Sequence, residues 1–170
     1  MKLREEILKE HSKAQCGKIV KWVGNSQERF DELFYLFLND EYRITQRAAW
    51  PVSYSIIAHP ALIKKNWKKF ITNLKKPGLH DSIKRNSIRL LQNLEIPEKY
   101  HGEIMGICFK FLESPTEALA IKVFSMTVLG NLAKKYPDII PELKLLIENQ
   151  LPDQTAGFKS RAKKILSIIH

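Results

Sequence analysis

Cysteine is nearly absent from these 170 residues. The only two, Cys16 and Cys108, stand far apart within helical patterns, which argues against a disulfide framework. No stretch is long and apolar enough to span a bilayer. The opening Met1-Lys2-Leu3-Arg4-Glu5-Glu6 is charged and lacks the apolar core of a signal peptide. A reducing, cytoplasmic setting is the resulting expectation. Glycine (7) and proline (8) are scarce, so their positions mark where elements stop. No run alternates apolar and polar residues between turn signals, which argues against strands. Also missing are a Gly-rich phosphate loop, a paired-cysteine motif and a nucleophile elbow. The histidines His11, His59, His80, His101 and His170 form no ligand cluster. No catalytic residue, cofactor or metal site is expected, and the chain reads as a non-enzyme.

Acids are missing from one long segment. Between Pro60 and Leu90 stand nine cations, Lys64, Lys65, Lys68, Lys69, Lys75, Lys76, Lys84, Arg85 and Arg89, against the single acid Asp81, a local charge of +8. The last sixteen residues add Lys159, Arg161, Lys163 and Lys164 with no acid, a local charge of +4, so the rest of the chain is near −2 within a net charge of +10. Charge this localised points to an anionic partner.

What is abundant is apolar sequence at helical spacing, 44% hydrophobic in all. The organising stretch is Asp40 to His59. Ile44, Ala48, Val52 and Ile56 form one stripe, and Arg43, Arg47, Trp50 and Tyr54 the opposite one. Pro51 inside it predicts a kink or break near Ala48 to Trp50. Before it, Met1 to Val23 reads as a helix interrupted near Gly17. Gly24 then stops it, and Asn25 with Glu28 forms a capping box for Gln27 to Leu38. After it, Pro60 starts a helix through Lys76, with six lysines on one side and Ile63, Trp67, Phe70, Ile71 and Leu74 on the other. Asp81 caps the next helix, whose outward residues are Arg85, Asn86, Arg89 and Asn93. Ser114-Pro115-Thr116-Glu117 predicts a strong cap for a helix running to Tyr136. That helix is apolar nearly all round and bears one interior charge, Lys122. Asp138 to Gln150 and Thr155 or Ala156 to Ile169 complete an all-α chain.

Aligning the second helix of each pair puts Arg47, Arg85, Lys122 and Arg161 in register at spacings of 38, 37 and 39 residues. Two helices per such period is the pattern of an α-solenoid. Asp40 to Arg47 and Asp81 to Arg85 resemble the HEAT repeat, with an acid in the inter-helix turn and a basic residue on the second helix. The whole chain is similar to small bacterial HEAT-type proteins. The resemblance implies a right-handed α-α superhelix of about four helix pairs (25–59, 60–96, 97–137, 138–170) after an N-terminal capping helix (1–24), one domain over residues 1–170. It implies that the aligned cations pair with turn acids. It also places Arg43, Arg47, Trp50, Tyr54, Arg85 and Arg89 on or near a concave, partner-binding face. The lysines Lys64, Lys65, Lys68, Lys69, Lys75 and Lys76 fall on the convex side.

These residues lead first to a non-enzymatic scaffold that binds a protein partner. The lysine patch gives the alternative, nucleic-acid binding through phosphate, which would carry no sequence code. Arg43, Arg47, Trp50 and Tyr54 also resemble the basic and aromatic part of the DNA alkylation-repeat glycosylases, but the essential acid is missing from that stripe. Glu98-Lys99-Tyr100-His101 has the E-x-x-H spacing of a di-iron ligand pair. With no second copy it is read as a chance match.

Overall fold

Ser12, Ser26 and Thr155 each open a helix by the same device, a side-chain oxygen accepting from the backbone N–H three residues on. Their distances are 3.1 Å to Gln15, 3.4 Å to Arg29 and 3.4 Å to Phe158. A computed structural model describes residues 1–169; His170, counted above among the histidines, lies outside them. Among the described residues every regular element is helical.

The chain divides into two compact units, the first Met1–Leu90 and the second beginning at Leu91. The first holds α1 (Leu3–Lys9), α2 (Lys13–Val23), α3 (Gln27–Asn39), α4 (Tyr42–Ala58), a 3₁₀ segment (Pro60–Asn66), α5 (Trp67–Leu74) and α6 (Asp81–Leu91), whose last residue crosses the boundary. Its core is built where α3 meets α4. Phe30, Leu33, Phe34 and Phe37 face Ile44, Ala48, Val52 and Ile56, all at most 2% exposed. Leu3 and Ile7 of α1 and Ile19 and Val23 of α2 bury their apolar stripes in the same unit. Both helices pack on α4.

Several local expectations need correction. The N-terminal cap is two helices, broken at Glu10–Ser12 and not at Gly17, because Ser12 offers a capping oxygen and Gly17 does not. Gly24 does stop α2, at φ 51°, a left-handed conformation that suits glycine. Ser26, one residue later than expected, caps α3. Pro51 does not break α4, which runs unbroken for 17 residues. Pro60 opens a 3₁₀ segment, and the α-helix begins only at Trp67. The buried amide of Asn66, held by Asp31 at 3.1 Å, marks the switch. His80, not Asp81, precedes and caps α6: its Nδ1 accepts from the Ser82 N–H at 3.1 Å. Asn86 points inward, 6% exposed, donating to Ser82 O at 2.7 Å.

The second unit holds a 3₁₀ turn (Glu98–Tyr100), α7 (His101–Glu113), α8 (Leu119–Ala133), a turn (Pro137–Ile139), α9 (Ile140–Gln150), another (Leu151–Asp153) and α10 (Ala156–Ile168). α8 is its centre, packed by α7, α9 and α10. Ile121, Met126, Val128 and Leu129 are fully buried. At Gly130 an added Cβ would come within 3.1 Å of Ile165, so glycine sets how closely α10 approaches. The Ser114–Glu117 capping box does not form. Ser114 ends α7, and α8 starts at Leu119 after a turn in which Glu117 accepts from the Ala118 N–H at 3.1 Å.

Candidate functional site

Asp31, Tyr35 and Leu38 follow one another at i, i+4 and i+7 along α3. Lys65, Lys68, Lys69, Thr72 and Lys76 run along one side of the Pro60–Leu74 segment and just past its end. Between these two rows lies an open groove of about 800 Å³, with Phe34, Asn66 and Asn73 also in its lining.

Contacts between the two rows bridge the groove near each end. At one, Asp31 accepts from Gln27 at 2.9 Å, from Asn66 at 3.1 Å and from Lys65 at 2.5 Å. Burial, the largest single influence on Asp31, pushes its pKa up. The hydrogen bonds from Lys65, Gln27 and Asn66 outweigh it and hold the carboxyl below its ordinary value. Gln27 also donates to Leu62 O at 3.1 Å, tying α3 to the 3₁₀ segment. At the other end Lys76 donates to Leu38 O at 3.4 Å.

Between the ends the groove is chemically open. Lys68 and Lys69 are exposed and form no ion pair or hydrogen bond with a described residue. Tyr35 stands opposite at 63% exposure, the highest of any Phe, Trp or Tyr among the described residues. Asn73 is 4% exposed, yet its side-chain amide makes no hydrogen bond to another described residue. Its amide donors and acceptor are thus unused by the described residues.

Of the six lysines, Lys65, Lys68, Lys69 and Lys76 line this groove, while Lys64 and Lys75 are exposed outside its lining. The α4 stripe divides differently. Arg47 donates to Leu8 O at 2.7 Å and to Ile7 O at 3.4 Å, and so fastens the end of α1. Trp50 meets the His11 ring edge-on at 5.8 Å and the Tyr54 ring at 6.1 Å. The Arg89 guanidinium lies 5.1 Å from the Tyr54 ring and donates to Ser53 Oγ and Asn86 Oδ1. Arg43 and Arg85 are exposed.

The expected pairing of the aligned cations with turn acids does not occur. Asp40 is taken by Arg4 through two hydrogen bonds of 3.1 and 3.2 Å, and Asp81 by Lys84 at 3.1 Å. Lys122 donates instead to Gln150 Oε1 at 2.7 Å. Arg161 donates to Gln92 Oε1 at 3.1 Å and to Thr127 Oγ1 at 2.5 Å. Neutral acceptors satisfy these side chains without burying a second charge.

Three further features carry no chemistry of their own. His101 is a clamp: its Nε2–H donates to Ile96 O at 2.7 Å, which leaves Nδ1 to accept from the Tyr136 hydroxyl at 3.0 Å. Burial pushes the Cys16 thiol up to about 11 and the Cys108 thiol up to about 12, so both are protonated near neutrality. No group of three metal-ligating side chains occurs among the described residues.

The sequence reading missed Tyr35, Asn73 and the Asp31 network. The signal for Tyr35 was present, since Asp31, Tyr35 and Leu38 continue the edge of the α3 core stripe. Asn73 gave none, because one asparagine on an apolar helix face looks the same whether its amide is paired or vacant.

A family model described as a HEAT repeat domain matches residues 3–169, and the chain belongs to that family. HEAT repeats generally serve as protein-interaction scaffolds. No curated protein and no solved structure matches the chain. No helix among the described residues is long and apolar enough to cross a membrane.

Proposed function

We propose that this HEAT-repeat chain is a non-catalytic interaction module that receives an acidic segment of a protein partner in the groove between α3 and α5. One observation carries the reading. Lys68 and Lys69 line an open groove without an ion pair to any described residue, while the acid that shares it, Asp31, is already held by Lys65, Gln27 and Asn66. Unpaired cations gathered at a concavity favour an anionic partner over other surfaces. The α4 stripe is a weaker candidate for docking, because Arg47 and Trp50 are engaged by the connection between α1 and α2.

Nucleic-acid binding is the second reading, supported by the exposure of Lys64, Lys68, Lys69 and Arg85 on the acid-poor segment. Fluorescence anisotropy with labelled poly-glutamate tests the first reading. Binding at low salt, weakened as salt rises and lost in Lys68→Glu/Lys69→Glu, is the expected result. Absence of binding at low salt, or equal binding by the variant, overturns it.

A further inference from the structure

The identity of the ligand, which rests on the groove being the docking surface, is written in the unused polar group at its floor. Asn73 is 4% exposed and lines the groove, and its side-chain amide makes no hydrogen bond to another described residue, so its donors and acceptor are free to meet a ligand. Such an amide offers a donor and an acceptor side by side, the same pair that a peptide unit presents. We propose that the groove binds an extended acidic peptide of about five residues, with Asn73 hydrogen-bonded to its main chain, its acidic side chains on Lys68 and Lys69, and its alternate apolar side chains against Tyr35 and Leu38.

The length follows from the lysine row. Eleven residues separate Lys65 from Lys76. With Lys65 and Asn66 on the 3₁₀ segment at about 2.0 Å per residue and α5 at about 1.5 Å per residue, they span roughly 17 Å, the reach of about five extended residues at about 3.3 Å each. The alternation follows from the two walls. Side chains of an extended segment point to opposite sides at successive positions, and this groove has cations on one side and an aromatic and aliphatic surface on the other. The pattern it accepts is acid, apolar, acid, apolar, acid.

The same features fit a nucleic acid poorly. Single-stranded nucleic acid is held by successive aromatic platforms, and one exposed ring lines this groove. A phosphate backbone tracks cations along an open surface, whereas Asn73 is recessed below the lysines.

Fluorescence anisotropy on the full chain tests the proposal with a labelled peptide Glu-Leu-Glu-Leu-Glu. Its companions are the same peptide N-methylated at the central residue and a labelled single-stranded oligonucleotide. Wild type binds the first peptide, and both N-methylation and Asn73→Ala weaken that binding about tenfold, the loss expected for one main-chain hydrogen bond. Tyr35→Ala weakens it further. Because the N-methyl comparison uses wild-type protein, it stands even if Asn73→Ala fails to fold. If the acidic peptide binds through Lys68 and Lys69 but neither N-methylation nor Asn73→Ala changes its affinity, the main-chain mode is wrong while the anionic docking reading survives. If neither peptide nor poly-glutamate binds, both are wrong. If the oligonucleotide binds more tightly than the peptide and displaces it, the ligand is nucleic acid and the proposal is overturned.

Discussion

Lys122 is 5% exposed in the centre of the second unit, and among the described residues its side chain donates only to a neutral amide. Gln150 spends its whole side chain on that region. Its oxygen accepts from Lys122, and its nitrogen donates to Leu112 O at 3.0 Å and to Leu146 O at 3.1 Å. Burial lowers the proton affinity of the Lys122 ammonium, and Glu117 opposes that only in part. The unfolded chain therefore binds the proton more tightly, and stability rises as pH climbs through the lowered pKa toward the ordinary 10.5. Gln150→Leu removes the acceptor and leaves the ammonium buried alone. It is expected to destabilise the protein by about 1–3 kcal/mol, with a larger loss at pH 7 than at pH 11, read as the shift of the urea midpoint. An equal loss at both values would mean that Lys122 is already neutral at pH 7. Lys122 was legible in the sequence as the one interior charge on an apolar helix. Its partner was not, because Gln150 lies on another helix and the resemblance pointed to an acid.

At the scale of elements, apolar spacing carried most of the information. The α3, α4 and α8 core faces follow directly from their stripes, since an apolar face at period 3.6 has to be covered. Boundaries were harder, because neighbouring residues compete to cap the same helix. Ser26 displaces Asn25, and His80 occupies the place read for Asp81. The Ser114 box is lost to a turn that ends α7 one residue before the expected start of the next helix. The α1–α2 hairpin shows what local composition could not. Glu6 accepts from Lys18 at 2.7 Å, from Gln15 at 2.8 Å and from Lys9 at 3.1 Å, so one carboxylate joins both helices. The hydrogen bond from Lys18, then those from Gln15 and Lys9, bring its pKa from 4.5 down to about 2. The folded state holds this proton less tightly than the unfolded chain. The contribution of Glu6 is therefore complete above pH 4.5 and is lost as pH falls through about 2. Glu6→Gln is expected to flatten the decline in melting temperature across that window and to lower the melting temperature at pH 7. Circular dichroism melts of both proteins from pH 2 to 7 check it, and parallel declines would remove Glu6 as the cause.

Over the whole molecule the charge of +10 guarantees some attraction to any polyanion, so weak association with DNA is expected whatever the biological partner. The informative quantity is how many lysines take part. Lys65 is paired with Asp31, Lys76 donates to Leu38 O, and Lys75 also has a partner within the chain. Lys64, Lys68 and Lys69 have none among the described residues. Composition alone counts six available cations and would give a log–log salt slope of roughly −5 on duplex DNA. The three lysines without a partner give roughly −3, provided that the partnered ones stay in their internal contacts as phosphate approaches. Measured by anisotropy between about 50 and 200 mM salt, where Debye lengths are near 10 Å, a slope near −3 that vanishes in Lys68→Glu/Lys69→Glu fits a cation set confined to the groove and Lys64. A slope near −5 would mean that phosphate strips Lys65 from Asp31 and opens the end of the groove. The surface would then behave as a continuous polyanion track and not as a short, bounded cleft.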